Sequence, residues 1–238
     1  MARYTRHQLK EDKFADAVQE RVIWGVEHRK LLSIIGVAAA AVVVLVVAGF
    51  FYLQTRDEKA SVALSAALRT YEAQLRPAGT PPLPNLLSFT SAKERAQAAQ
   101  KEFRSVAQDY RFTRSADFAK YWIGVTAMDM EDYKTAEQEF QALSGSRRDD
   151  LAPLAKFALA STYRGEGKES NAIQLYKELI DHPRATVPKS TAQMELAAMY
   201  ETTQPAEAAR IYEQIRKDEP TSAAAQVAST RLQGNKPQ

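Results

Sequence analysis

The sequence contains 23 consecutive positions without a charged residue, from Leu31 to Leu53. As an α-helix this stretch would be about 34 Å long, whereas the hydrocarbon core of a bilayer is roughly 30 Å thick. A buried helix of a globular protein seldom runs this long without a polar face. We therefore predict one transmembrane helix over 31–53, which places the two ends of the chain in different compartments.

The flanks of this stretch predict its orientation. A cleavable signal peptide has an apolar stretch of roughly 7–15 residues followed by small residues. Here the stretch is longer and ends in the bulky residues 50–53, so we predict an uncleaved signal anchor. Residues 1–30 carry seven Lys or Arg, and Arg29 and Lys30 lie at the membrane boundary. The positive-inside rule then predicts a cytoplasmic N-terminus and an exported domain over 54–238.

The tail before the membrane has its own helical pattern. Between Leu9 and Lys30, apolar residues recur at steps of three and four, which predicts an amphipathic helix. This helix would lie on the cytoplasmic leaflet or meet a cytoplasmic partner, because its basic residues favour anionic headgroups. The alternative is a simple extension of the membrane helix, and the sequence leaves both open.

Composition excludes disulfide bonds and argues against binding to nucleic acid. The chain has no cysteine, so disulfides cannot stabilise the exported domain. Residues 54–238 contain 25 Lys or Arg against 24 Asp or Glu, which is not the basic excess of a nucleic-acid-binding domain.

The exported domain is internally repetitive with a step of 36 residues. One set of positions comprises Ala136, Ala172 and Ala208, and a second comprises Phe140, Tyr176 and Tyr212. A preceding segment in each unit carries a small residue, which is Gly124, Ala160 or Ala197. Small residues let two helices approach closely while the aromatic residue fills the space beside them. Turn-forming residues at 131–132, 165–167 and 202–205 separate the paired helices.

This pattern resembles the tetratricopeptide repeat, whose period is 34 residues. The resemblance covers three units over 116–220, with Lys120, Lys156 and Gln193 where that repeat usually has tryptophan. It implies an all-α fold in which helical hairpins stack into a solenoid. A degenerate copy is predicted over 54–115, with a first helix from Glu58 to Leu75 and a mobile loop over the proline-rich segment 77–85. Residues 221–238 are predicted to form a capping helix and a tail.

No pattern typical of an active site is present. The three histidines are scattered, and no cysteine accompanies them as a metal ligand. Nucleophile-elbow and phosphate-binding glycine motifs are also missing from the sequence. Glu201 and Asp129 are the only carboxylates at inward positions that could act as a catalytic pair, and they belong to different units. We therefore predict a protein without catalytic activity, cofactor, metal or small-molecule substrate.

The resemblance to tetratricopeptide arrays also implies a protein-binding groove, because the first helix of each pair lines the concave surface of such arrays. Its expected members are mostly apolar: Phe118, Tyr121, Val125, Met128, Leu154, Phe157, Arg164, Met194 and Glu201. Methionine and aromatic side chains suit varied apolar segments of partner proteins. Alternatively, these side chains are covered by the chain itself.

The order of a short tail, one anchor, the helix EKASVALSAALRTYEAQL and a divergent repeat domain resembles the YfgM-like family. Members of that family are ancillary subunits of the bacterial SecYEG translocon. The resemblance implies a single-pass protein of the inner membrane with a periplasmic repeat domain. It also implies translocon subunits, a periplasmic chaperone or unfolded secretory clients as partners. The alternative is an adaptor for cytochrome maturation, cell division or outer-membrane complex assembly.

The predicted orientation can be tested with protease added to cells whose outer membrane has been permeabilised. We expect residues 54–238 to be digested while a tag at the N-terminus stays protected. Protection of the C-terminal half in intact inner-membrane compartments would contradict the orientation.

Overall fold

The computed structural model describes residues 28–81, 84 and 86–234. Apart from two short strands, all regular structure in these residues is helical, so the prediction of an all-α chain is confirmed. The predicted amphipathic helix lies outside the described residues, except for its last three positions, and so do the final four residues of the tail.

Nine helices and two strands follow one another in the described residues. They are α1 (Arg29–Tyr71), β1 (Gln74–Leu75), β2 (Ser88–Phe89), α2 (Ala92–Asp109), α3 (Arg114–Asp129), α4 (Tyr133–Ser144), α5 (Ala152–Gly165), α6 (Glu169–Asp181), α7 (Lys189–Thr203), α8 (Pro205–Asp218) and α9 (Ala223–Gly234). The breaks between α3 and α4, between α5 and α6 and between α7 and α8 fall at the predicted turns. The chain divides into two compact units, Met1–Thr55 and Arg56–Gln238.

Helix α1 is long and apolar enough, by length and composition, to span a membrane. It has 43 residues and contains an 18-residue window of mean hydropathy 3.0 in which nothing is buried. The predicted membrane helix and the helix expected after it are continuous, because residues 54–57 contain neither glycine nor proline to interrupt the hydrogen bonding. The helix ends at Tyr71, four residues before the predicted end at Leu75.

The proline-rich segment is bracketed by a two-stranded parallel sheet that the sequence analysis did not predict. Gln74 pairs with Ser88, and Leu75 pairs with Phe89. The Arg76 amide donates to the Phe89 carbonyl at 2.9 Å and extends this pairing. Two-residue strands are too short to produce a readable alternation of apolar and polar residues, which explains the omission.

In the second unit, each helix from α2 onward packs against the next one in the chain. Two clusters of buried apolar residues result. The smaller joins α1, α2 and α3 through Ala67, Phe103 and Ile123, and the larger extends from Ala127 to Ala228. The first pair of helices therefore also has a fully buried aromatic residue, Phe103, as the later pairs do.

Gly124 on α3 lies directly against Phe140 on α4, the second helix of its pair. A Cβ atom placed on Gly124 would lie 2.7 Å from both Cε1 and Cζ of Phe140, which is fully buried. Such a distance is well inside van der Waals contact, so only glycine fits opposite this ring. Ala160 and Ala197 occupy the corresponding positions in the next two pairs, and both are fully buried.

The turns between α3 and α4 and between α5 and α6 are each closed by a backbone hydrogen bond that spans the end of the first helix. The Asp132 amide donates to the Ala127 carbonyl at 2.8 Å, and the Lys168 amide donates to the Tyr163 carbonyl at 2.8 Å. This closure requires a left-handed residue just after the helix. Gly167 supplies it with φ +74°, whereas the first turn uses Glu131 with φ 62°. Only Gln204 separates α7 from α8, whereas three residues separate the helices in each of the other two turns, and Gln204 is not in the left-handed conformation.

We expect Gly124→Ala to destabilise the fold by about 1–2 kcal/mol, because the overlap with Phe140 outweighs the better helix propensity of alanine. Gly145→Ala is the matched control, since no atom lies within 4 Å of a Cβ there and the backbone is right-handed. Thermal unfolding of both variants measures the difference. Equal melting temperatures would contradict the steric account.

We expect Glu131→Gly to stabilise the protein by up to about 1 kcal/mol, because glycine adopts the left-handed conformation without steric cost. Gly167→Ala should destabilise it by a similar amount. Chemical denaturation of the two single variants tests this pair, and shifts in the same direction would show that backbone conformation does not control these turns.

Candidate protein-binding site

The predicted inward row lies on α3, α5 and α7, at the edge of the larger core cluster. Its apolar members are each partly exposed and pack against that cluster: Phe118, Tyr121, Val125, Met128, Leu154, Phe157 and Met194. These side chains are therefore neither fully covered by the chain nor free of it. Each has one side supported by the core and one side open to solvent.

Two of the three aromatic rings of this row, those of Tyr121 and Phe157, rest on the buried aromatic residues of the repeat. The Tyr121 ring lies 5.5 Å from the Phe140 ring, and the Phe157 ring lies 5.6 Å from the Tyr176 ring, as measured between centroids. Burial raises the pKa of Tyr121 above its ordinary value. Edge and tilted contacts of this kind orient aromatic rings, so both rings are held in place before any partner arrives.

The charged members of the row are paired within the chain. Arg164 Nη1 lies 2.5 Å from Glu195 Oε2, which joins α5 to α7. Glu201 Oε1 accepts a hydrogen bond of 2.8 Å from the Tyr212 hydroxyl, and its other oxygen lies 3.5 Å from Arg231 on α9. Burial, together with the hydrogen bond to Glu201, raises the pKa of Tyr212. Arg164 and Glu201 therefore act first as structural links between helices.

The two carboxylates considered as a catalytic pair have different tyrosine partners. Glu201 is bound by Tyr212, and Asp129 Oδ2 accepts a 2.9 Å hydrogen bond from the Tyr71 hydroxyl. Burial, followed by the contact with Asp129, raises the pKa of Tyr71 to about 12. Between residues 28 and 234, in the described part of the chain, no three potential metal ligands come together.

Three of the clefts in the described part of the chain lie between neighbouring pairs of helices, and the sequence analysis did not predict them. Each includes one of the residues that replace the usual tryptophan of the repeat: Lys120, Lys156 or Gln193. The clefts have volumes of about 460, 250 and 240 Å³. Each lies between the second helix of one pair and the two helices of the next. The missing tryptophans were the available signal, because a smaller or more flexible side chain leaves this space unfilled.

The three clefts differ in how their charges are satisfied. In the second, Lys156 forms an ion pair with Glu178, and in the third, Arg210 forms one with Glu207 at 2.5 Å. The first cleft is the largest and contains Arg104 and Arg111, neither of which forms an ion pair with any described residue. Its charge is thus the least compensated of the three.

Comparison with known proteins adds no family assignment. No protein-family model matches the chain, and no curated protein matches it.

Proposed function

We propose that the protein is a non-catalytic scaffold, anchored in the bacterial inner membrane by α1, whose periplasmic domain binds other proteins. In this proposal α2–α9 form a tetratricopeptide-like solenoid with α9 as its cap. Support comes from the 36-residue step, the packing of each helix on the next and the common closure of two turns. Ala225 and Ala228 of α9 are buried, which agrees with a capping role.

The observation that carries the proposal is the row of half-exposed apolar side chains on α3, α5 and α7. Rings already oriented by Phe140 and Tyr176 lose little conformational entropy when a partner covers them. Met128 and Met194 add side chains that adapt to different partner shapes. Such a surface suits apolar segments of a chaperone or of an emerging secretory polypeptide.

The proposed partners follow from the resemblance to the YfgM-like family. In this proposal the groove holds a periplasmic chaperone or an unfolded client while α1 places the domain beside the Sec translocon. An adaptor for another envelope assembly process is the alternative. Purification of the full chain in mild detergent distinguishes them: we expect translocon subunits to co-purify, whereas haem-lyase or division proteins without translocon subunits would favour the alternative.

We expect the double variant Tyr121→Ser with Phe157→Ser to bind a labelled, permanently unfolded polypeptide at least about tenfold more weakly than the natural protein. The control is Leu87→Ser with Val227→Ser, which removes two apolar side chains that are 52% and 46% exposed outside the row. Fluorescence anisotropy with the full chain in detergent measures both. Unchanged binding by a folded double variant would refute the groove.

Serine at positions 121 and 157 also removes ring contacts with the core and could unfold the domain. A second variant therefore separates loss of binding from loss of folding. Met128→Gln with Met194→Gln keeps the side-chain length and the stem packing but makes both tips polar. We expect this variant to melt near the natural protein and to bind the same polypeptide several-fold more weakly. Full binding by this folded variant would also count against the groove.

A further inference from the structure

The turn between α2 and α3 holds a large aromatic side chain in a costly conformation. Phe112 has φ 70°, in the left-handed region that bulky residues rarely adopt, and it is 95% exposed. The turn itself is closed by the Thr113 amide, which donates to the Tyr110 carbonyl at 3.2 Å. The Phe112 ring makes no ring contact with the described part of the chain. The fold therefore bears both backbone strain and an exposed ring without using the ring.

Phe112 stands at the rim of the first cleft, beside two arginines. Arg104 comes from α2, Arg111 precedes Phe112 in the turn, and the floor includes Ile123 of α3. Among the described residues, Arg104 donates only to the side-chain oxygen of Gln100, at 3.3 Å. An apolar floor, an exposed ring and two guanidinium groups thus share one opening of about 460 Å³.

The acidic residues near this cleft compensate the arginines only in part: Arg104 acts on the carboxylates of Glu139 and Asp132, but neither Arg104 nor Arg111 forms an ion pair with a described residue. The Asp117 carboxylate lies 3.3 Å from Lys120 Nζ and 3.1 Å from Arg148 Nη1, so two other cations already compensate it. Burial raises the pKa of Glu139, although Arg104 and Lys120 oppose this rise. Three cationic side chains, Arg104, Arg111 and Lys120, line the cleft against the two carboxylates of Asp117 and Glu139, so the cleft keeps a net positive charge.

We propose that this cleft and Phe112 form a second docking surface, which takes an acidic polypeptide segment carrying an apolar side chain. Carboxylates of the segment would meet the guanidinium forks of Arg104 and Arg111, whose geometry suits bidentate pairing. An apolar side chain of the segment would cover Phe112. The carboxylates of Asp117 and Glu139 offer acceptors for backbone N–H groups, which favours a polypeptide over a lipid headgroup. This surface is independent of the row on α3, α5 and α7.

The test uses the detergent-solubilised full chain and a random-peptide display library. We expect the enriched peptides to contain an excess of Asp and Glu together with apolar residues. For the best of them, we expect Arg104→Gln with Arg111→Gln to weaken binding by about tenfold or more. Arg216→Gln with Lys217→Gln is the charge-matched control on α8 and should bind like the natural protein.

Phe112→Gly separates binding from folding, because it relieves the left-handed strain while removing the ring. We expect it to raise the melting temperature and to weaken peptide binding. Glu131→Gly is its control: it gives the same backbone relief elsewhere and should leave binding unchanged.

Three results would overturn the proposal. They are a library selection that enriches no peptide, enriched peptides without an excess of Asp and Glu, and peptide affinities of the Phe112→Gly and double-arginine variants that equal the affinity of the natural protein. Vesicles containing phosphatidylglycerol provide a further arm. If the natural protein binds these vesicles, and if the Arg104, Arg111 and Phe112 variants lose vesicle binding as strongly as they lose peptide binding, the cleft is a lipid-binding surface. That result would also overturn the proposal. Because Tyr121 and Phe157 are not changed in these variants, failure here leaves the groove untouched.

Discussion

The close approach of a small residue to a large buried aromatic residue is the contact on which the second compact unit, Arg56–Gln238, depends. At Gly124 and Phe140 the two helices are so near that a single methyl group would not fit. In the two later pairs Ala160 and Ala197 occupy the corresponding positions, and Tyr176 and Tyr212 are the buried aromatic residues. Since interiors are packed to near crystal density, such contacts set the spacing of helices as well as contributing apolar burial.

The same aromatic residues connect the core to the proposed binding surface. Phe140 and Tyr176 are buried between helices, yet each also supports a half-exposed ring of the inward row, Tyr121 or Phe157. Trp122 extends this network toward α1, with its ring 5.1 Å from that of Tyr71 and 5.9 Å from that of Phe103. Disturbing the packing of a helix pair should therefore also disturb the surface that the pair presents.

Residues repeated at a fixed step predicted most of what the structure contains. Ala136, Ala172 and Ala208 are all fully buried, and the turns fall where glycine, proline and polar residues cluster. The sequence analysis predicts a membrane helix over 31–53 and a separate helix from Glu58, whereas the structure has one continuous helix. Residues 54–57 contain no helix breaker, so the sequence was compatible with this continuity. The strands at Gln74–Leu75 and Ser88–Phe89 lack any readable period.

The candidate site was predictable only in part. The apolar members of the inward row remain a prediction from helical register. That register could not predict that Glu201 would accept a hydrogen bond from Tyr212 on α8 and lie beside Arg231 on α9. The clefts beside Lys120, Lys156 and Gln193 depend on volumes that side-chain packing determines. The positive φ of Phe112 has no sequence signal at all, since glycine or asparagine is the usual residue for that conformation.

Photocrosslinking in living cells tests most directly whether the inward row is a protein-binding surface. A photoreactive amino acid would replace Tyr121, and a control would carry it at Glu213, which is exposed on α8 outside the row. The account predicts covalent adducts with other polypeptides from position 121 and few or none from position 213. Equal yields from the two positions, or no adduct from position 121, would contradict it.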